Sequence, residues 1–119
     1  MQVLIVDDDP DLQDAICDTL EGGGHAAVCV SNGRQALDYL QTGAPTCLIL
    51  LDLMMPVMNG WEFREQQLRD AAIASIPVVV ISAHDGGERP GLSPDGFLRK
   101  PIRAEDLLST VAKFCGKAN

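Results

Sequence analysis

Residues 46–52 read TCLILLD, a run of apolar residues that ends on a single carboxylate, Asp52. Because the run shows no alternation of polar and apolar residues, it predicts a strand that is buried on both faces. A carboxylate at the end of such a strand costs several kcal/mol to desolvate unless another group pairs with it. Asp52 is therefore the first candidate for a functional side chain.

A second apolar run, residues 3–6, ends on the consecutive aspartates Asp7, Asp8 and Asp9. In an open parallel sheet the carboxyl ends of the strands share one edge, and ligands bind at that edge. Several carboxylates are therefore expected to converge there, and like charges that close destabilise one another unless a cation or shared protons compensate. An oxygen-rich acidic cluster without a thiolate or imidazole suits Mg²⁺. The sequence thus predicts a hard metal ion beside a carboxylate.

Composition limits the class of protein. With 119 residues, of which 46% are apolar, the chain is expected to form one domain, residues 1–119, around a single core. It contains no stretch long enough to span a membrane, and no basic segment precedes an apolar core at its amino terminus, which argues against a secretory signal. A net charge of −8 argues against direct binding to nucleic acid, so the expected partner is a protein.

The four cysteines, Cys17, Cys29, Cys47 and Cys115, are widely spaced and lie in segments with an apolar pattern. Their spacing is not that of a zinc site. We interpret them as small buried hydrophobic residues of a protein in a reducing cytosol, which predicts a cytoplasmic location.

Five strand-like runs alternate with helical patterns along the chain. The predicted strands are residues 3–6, 27–30, 47–51, 78–81 and 97–99. Helices are expected from Pro10, after a cap at Asp9, to the glycines at 22–24, and over residues 32–41, 59–72 and 104–115. This alternation predicts an α/β fold, a doubly wound five-stranded parallel sheet with helices on both faces.

One connection departs from the alternation. A helix through residues 83–95 would contain three glycines and two prolines. At about 1 kcal/mol for each glycine and about 3 for each proline, its penalty relative to alanine is about 9 kcal/mol. We therefore expect the fourth helix in chain order to be absent or much shortened, with a loop in its place.

Ser82 ends the fourth predicted strand and Lys100 follows the fifth, so both reach the edge that carries the aspartates. This set of residues resembles the receiver domain of two-component response regulators, over the whole chain. The matching residues are, in chain order, Asp7-Asp8, Asp52, Ser82 and Lys100-Pro101. Residues 52–60, DLMMPVMNG, also carry that family's Asp-x-x-Met-Pro-x-Met-x-Gly pattern. The resemblance implies a flavodoxin-like arrangement of the sheet.

The resemblance also implies a phosphoacceptor function. Asp52 would take a phosphoryl group from the phosphohistidine of a histidine kinase or phosphotransfer protein, and Ser82 and Lys100 would contact the phosphoryl oxygens. Phe97 occupies the position of the family's switch aromatic, although an aromatic in a strand is a core residue by default. The chain would then be no conventional enzyme: it would catalyse only its own uptake and loss of phosphate, and it would signal to an unidentified downstream protein.

The metal site follows from the same resemblance. Asp8 is expected to ligate Mg²⁺ directly and Asp7 through a water, while Asp52 supplies one oxygen and Met54 its backbone carbonyl. The acidic helix start is the competing explanation for this segment, because aspartates near a helix N-terminus are favoured by its dipole. That explanation fits Asp9 better than its two neighbours.

Two other functions stay open on the sequence. The missing fourth helix would suit a receiver-like interaction module that works without phosphorylation, whereas the complete set of site residues argues against it. A Mg²⁺-dependent phosphatase with Asp52 as its nucleophile ranks last. Such enzymes usually place a second acid two residues after the nucleophile, and this chain has Met54 there.

Overall fold

A single parallel sheet organises the protein, as seen in a computed structural model that describes residues 2–53, 58–82 and 94–116. Within those ranges the strands are β1 (Gln2–Val6), β2 (Ala26–Val30), β3 (Thr46–Asp52), β4 (Val78–Ser82) and β5 (Gly96–Arg99). The helices are α1 (Pro10–Gly22), α2 (Gly33–Leu40), α3 (Gly60–Arg69) and α4 (Ala104–Cys115).

The strand order is β2-β1-β3-β4-β5, and every neighbouring pair is parallel. This order confirms the predicted doubly wound, flavodoxin-like α/β fold. The strand β3 lies at the centre of the sheet, and all seven of its residues are buried. Helices cover both faces of this strand, which explains why the run at residues 46–52 is apolar without a break, as predicted.

Alternate residues of the strands feed two separate cores. One core lies between the sheet and α2 and α3, where Leu4 and Ile49 meet Leu37 and Phe63. The other lies between the sheet and α1 and α4, and its members include Ile5, Leu48, Leu50, Ile16, Leu20, Leu107 and Val111. Because side chains alternate along a strand, consecutive residues of β1 and β3 serve opposite cores.

The helix α1 begins where its predicted capping residue places it. Asp9 caps α1 by accepting hydrogen bonds from the amides of Asp11 at 3.0 Å and Leu12 at 3.4 Å. The helix α3 ends at Arg69, three residues before the predicted end, because Asp70 is extended, with φ −105° and ψ 106°. The Asp70 carboxylate accepts from the amide of Ala72 at 3.0 Å, so the chain enters a turn there and the helix does not continue.

The interpretation of the cysteines as unpaired hydrophobic residues is wrong in this structure. Cys17 of α1 is disulfide-bonded to Cys29 of β2, and Cys47 of β3 is bonded to Cys115 at the end of α4. Each pair joins a helix to a strand that it covers, so side chains far apart in sequence meet in the same core layer.

Most of the predicted loop at residues 83–95 lies outside the described residues. The prediction that the helix between β4 and β5 is absent or much shortened falls on those residues and stays a prediction. None of the helices in the described ranges is both long and apolar enough to cross a bilayer.

Candidate functional site

The carboxyl ends of four strands lie side by side at one edge of the sheet. In the strand register Val6 pairs with Leu51, Asp52 with Ile81, and Ser82 with Arg99. The side chains at or just after these ends are those predicted from the sequence, namely Asp7, Asp8, Asp52, Ser82 and Lys100. The structure thus brings all five to the same edge, on four different strands.

Asp7 is the most enclosed of these residues, with no exposed surface. Its Oδ1 accepts from the amide of Asp9 at 2.9 Å, and its Oδ2 lies 3.4 Å from the Nζ of Lys100. Burial raises the pKa of the Asp7 carboxyl above its usual value, and the Asp9 amide and Lys100 oppose that rise. A further positive charge nearby would therefore stabilise the ionised form of Asp7.

Three carboxylates form a cluster at this edge. One oxygen each of Asp7, Asp8 and Asp52 lies within 4.8 Å of the others. Asp8 is exposed, while Asp52 is only 4% exposed, so the cluster opens to solvent on one side. Oxygen atoms grouped this closely, without thiolate or imidazole, fit a hard divalent cation such as Mg²⁺. The donor set present therefore suits the predicted metal.

Lys100 places a positive charge beside this cluster. Its Nζ lies 3.4 Å from the Oδ2 of Asp7 and 3.9 Å from the Oδ1 of Asp52, and its side chain is 27% exposed. This ammonium and the three carboxylates together carry a formal charge of −2 (−3 + 1) when all are ionised. A divalent cation has the charge that compensates for this excess.

Ser82 is the last residue of β4 and is 5% exposed. Its carbonyl accepts the backbone amide of Lys100 at 3.0 Å, so the two residues are joined across the β4–β5 ladder. The Ser82 hydroxyl and the Lys100 ammonium thus belong to adjacent strand ends.

Gln13 supports the site and was not singled out from the sequence. From the first part of α1 its Nε2 donates to the carbonyl of Asp7 and to that of Val30, the latter at 2.9 Å. It thereby fixes the backbone that carries Asp7 and Asp8 against β2. A polar residue beside the inward-facing Leu12 and Ile16 was the signal available in the sequence.

Two predicted residues are not part of this cluster as the structure describes it. Phe97 is 41% exposed, so its default assignment to the core is wrong. The strand β5 is at the edge of the sheet and turns Leu98 toward the core, which places Phe97 on the opposite face. Met54, the predicted source of a backbone carbonyl, lies outside the described residues.

Comparison with known proteins identifies a family whose members are similar to this chain in sequence. The sequence profile of the response regulator receiver domain matches residues 3–112. PilH of Pseudomonas aeruginosa is 31% identical over 116 residues, which cover 92% of this chain and 93% of PilH. Response regulator Rre1 of Synechocystis sp. is 34% identical over 122 residues, which cover 98% of this chain but 52% of Rre1, so the chain spans about half of that relative.

The fold comparison agrees. The chemotaxis response regulator CheY4 of Vibrio cholerae superposes with a TM-score of 0.85 at 28% identity, over 95% of this chain and 97% of CheY4. The resemblance inferred from the site residues is thereby confirmed. The chain belongs to the family of response regulator receiver domains.

Proposed function

We propose that this domain accepts a phosphoryl group on Asp52 and that a partner protein reads the resulting change. Receiver domains are signalling domains that interact with histidine kinases and with downstream targets. The observation that supports the proposal for this chain is the cluster of Asp7, Asp8 and Asp52, with Lys100 beside two of them and Asp52 almost buried at the end of the central strand.

The chemistry follows from these positions. An Asp52 carboxylate oxygen attacks phosphorus as the bond from phosphorus to the donor's imidazole nitrogen breaks. The donor leaves as a neutral imidazole, because its other ring nitrogen already carries a proton. Lys100 stabilises negative charge on the phosphoryl oxygens as a point charge, and the Ser82 hydroxyl donates to one of them. We propose that the domain itself also catalyses the later loss of phosphate to water.

Receiver domains bind Mg²⁺ at an acidic pocket, and here we assign that ion to Asp7, Asp8 and Asp52, with the backbone carbonyl of Met54. When bound, it supplies the positive charge that lets an anionic donor approach three carboxylates. Asp7 contributes a buried oxygen whose nearest cation is Lys100, and Gln13 holds the carbonyl of the same residue in place.

The output is proposed to pass through β5. Ser82 is tied through its carbonyl to the amide of Lys100, so a shift of Ser82 toward a phosphoryl oxygen acts on the end of that strand. Phe97 stands on the same strand, and its partly exposed ring is available to change its packing. We propose it as the switch residue that relays the phosphorylated state to the surface.

The partners are proposed by class. The donor is a histidine kinase or a phosphotransfer protein, and the reader is a downstream protein, since the net charge of −8 disfavours nucleic acid. We place this exchange in the cytoplasm and assign residues 1–119 to one receiver domain. Both assignments are proposed from the family relationship.

Intact mass measurement after treatment with Mg²⁺ and acetyl phosphate tests the proposal. Wild type is expected to gain one phosphoryl group, and Asp52→Asn none. Asp38→Asn, which changes an exposed aspartate of α2, is the matched control and should behave as wild type. Omission of Mg²⁺ should abolish uptake. Equal incorporation in wild type and Asp52→Asn would remove Asp52 as the acceptor, and no incorporation in wild type would favour the phosphorylation-independent module.

A further inference from the structure

An acid at the start of β5 has no part in the chemistry proposed above. Asp95 precedes the strand and binds Val78, the first residue of β4, twice. The Asp95 amide donates to the Val78 carbonyl at 2.8 Å, and the Asp95 Oδ2 accepts from the Val78 amide at 2.9 Å. Asp95 thus closes the β4–β5 ladder at the end opposite to Lys100.

Arg64 of α3 holds the same carboxylate from the side of the helix. Its Nη2 lies 3.9 Å from the Asp95 Oδ2, and its Nη1 donates to the Oε1 of Gln67 at 2.8 Å. Arg64 is 5% exposed, and burial lowers the pKa of its guanidinium while Asp95 opposes that change. A buried guanidinium stays charged, and its burial costs free energy unless an anion lies near it. Arg64 therefore favours the position in which the Asp95 carboxylate lies beside it.

The strand β5 has few other features that fix its register. It is four residues long, it lies at the edge of the sheet, and Leu98 alone among its residues is buried. A slip of one residue along β4 would shift the strand by about 3.3 Å and turn Leu98 toward the opposite face. The hydrogen bonds at the two ends of β5 are therefore important in fixing its register against β4.

The carboxyl end of β5 leads directly into the site. The Lys100 Nζ lies 3.4 Å from an Asp7 oxygen and 3.9 Å from an Asp52 oxygen. A slip of about 3.3 Å, one residue of strand, is comparable with these separations and would break both ion pairs. The anchor at Asp95 and the charge at Lys100 are therefore mechanically linked through the short strand between them.

We propose that Asp95, fixed in place by Arg64, is a positioning residue that sets the register of β5 and so holds Lys100 beside Asp52. Its effect on phosphate uptake rests on the proposed function. Its effect on the place of Lys100 does not, because both ion pairs exist without a phosphoryl group.

Lysine labelling reads the position of Lys100 without phosphate. Brief acetylation with an N-hydroxysuccinimide ester, followed by peptide mass spectrometry, gives the extent of labelling of Lys100 relative to the exposed Lys113 of α4 in the same molecule. Asp95→Ala is expected to raise this ratio several-fold. Asp95→Asn keeps an oxygen that can accept from the Val78 amide, so its ratio should lie nearer to wild type.

Asp70→Ala is the matched control for labelling, since it removes a carboxylate that accepts the Ala72 amide at 3.0 Å without touching β5. Its ratio should equal that of wild type. An unchanged ratio in Asp95→Ala overturns the inference, whether or not the protein takes up phosphate. If Asp95→Ala does not fold, Asp95→Glu is measured instead, because its longer side chain displaces the carboxylate from the Val78 amide; an unchanged ratio there overturns the inference equally.

A double-mutant cycle measures how the loss of Asp95 affects the rate of phosphate uptake through Lys100. Asp95→Ala should slow Mg²⁺-dependent uptake from acetyl phosphate by roughly tenfold or more, since small misplacements of a catalytic group are costly. In a Lys100→Met background it should have little further effect, because the group it positions is gone. Equal slowing in both backgrounds indicates a general structural defect and overturns the inference. If wild type takes up no phosphate, the proposed function fails, and the labelling ratio alone decides the position of Lys100.

Discussion

Gly60 lies directly against the backbone of Leu53, the residue that follows Asp52. The Gly60 amide donates to the Leu53 carbonyl at 3.1 Å. A Cβ placed on Gly60 would stand 2.7 Å from the Leu53 Cα and 2.8 Å from the Asp52 carbonyl oxygen. Because these are backbone atoms, no side-chain rotation can relieve the contact. The first turn of α3 therefore depends on glycine to approach the residue that we propose as the phosphoacceptor.

We expect Gly60→Ala to destabilise the domain by about 1–3 kcal/mol, the usual range for overpacking a buried position. It should also slow phosphate uptake, since the displaced backbone carries Asp52. Urea denaturation measures the first effect and intact mass over time the second. Gly22→Ala is the control, because a Cβ there meets nothing within 4 Å. The same stability change in both variants would contradict the close-approach explanation.

The arrangement of the site was predictable because it follows from topology alone. Strand ends of a parallel sheet share an edge, so Asp7, Asp52 and Ser82 could be grouped from their places after apolar runs without knowledge of strand order. The buried strand β3 was predictable for a similar reason, since a continuous apolar run requires cover on both faces.

Other features depend on contacts that no local pattern contains. The pairing of Cys47 with Cys115 requires α4 to pack across β3, and the hydrogen bonds of Gln13 require α1 to lie over the β1–β2 edge. The exposure of Phe97 depends on the place of β5 at the edge of the sheet. Each follows from the order of strands or the seating of a helix, which periodicity alone does not determine.

Gln67 is expected to be a major stabilising residue of α3. It is fully buried, its Nε2 donates to the carbonyls of Ile73 at 2.9 Å and Ile76 at 3.0 Å, and its Oε1 accepts from Arg64. Gln67→Leu keeps the volume but leaves these partners without a polar side chain, at a cost of about 1–3 kcal/mol for each buried group left unsatisfied. Urea denaturation should show the loss.

The neighbouring Gln66 provides the control for that experiment because it is exposed on the same helix. Gln66→Leu should change the free energy of unfolding by no more than about 0.5 kcal/mol, as is usual for surface substitutions. Similar losses at both positions would mean that the cost comes from helix propensity or solubility and not from the buried hydrogen bonds of Gln67.

Mg²⁺ is expected to stabilise the folded domain through the acidic cluster. At ten times its dissociation constant, an ion that binds only the folded state adds about 1.4 kcal/mol to the free energy of unfolding. Asp8→Asn should abolish that gain while folding normally, since Asp8 is exposed. Asp11→Asn, at an exposed aspartate in the first turn of α1, should retain it. Thermal unfolding with and without Mg²⁺ decides; an equal gain in both variants would place the ion elsewhere.

The two cysteine pairs are expected to differ in how readily they oxidise. The Cα atoms of Cys47 and Cys115 are 5.3 Å apart, within the usual disulfide range, whereas those of Cys17 and Cys29 are 7.4 Å apart, beyond that range. Under mild oxidation the bond between Cys47 and Cys115 should therefore form first. Alkylation under non-reducing conditions, followed by peptide mass spectrometry, identifies the pair.

The same bond should contribute more than the other pair to the dependence of stability on reductant. It joins residues 68 positions apart, and by the chain-entropy estimate a loop of that length is worth about 4 kcal/mol, against about 3 kcal/mol for a loop of roughly a dozen residues. Oxidised wild type should lose stability on reduction. Cys115→Ser, which keeps only the shorter loop, should lose about 3 kcal/mol, and Cys29→Ser, which keeps only the longer loop, about 4 kcal/mol. A larger loss in Cys115→Ser than in Cys29→Ser would contradict this order of contributions.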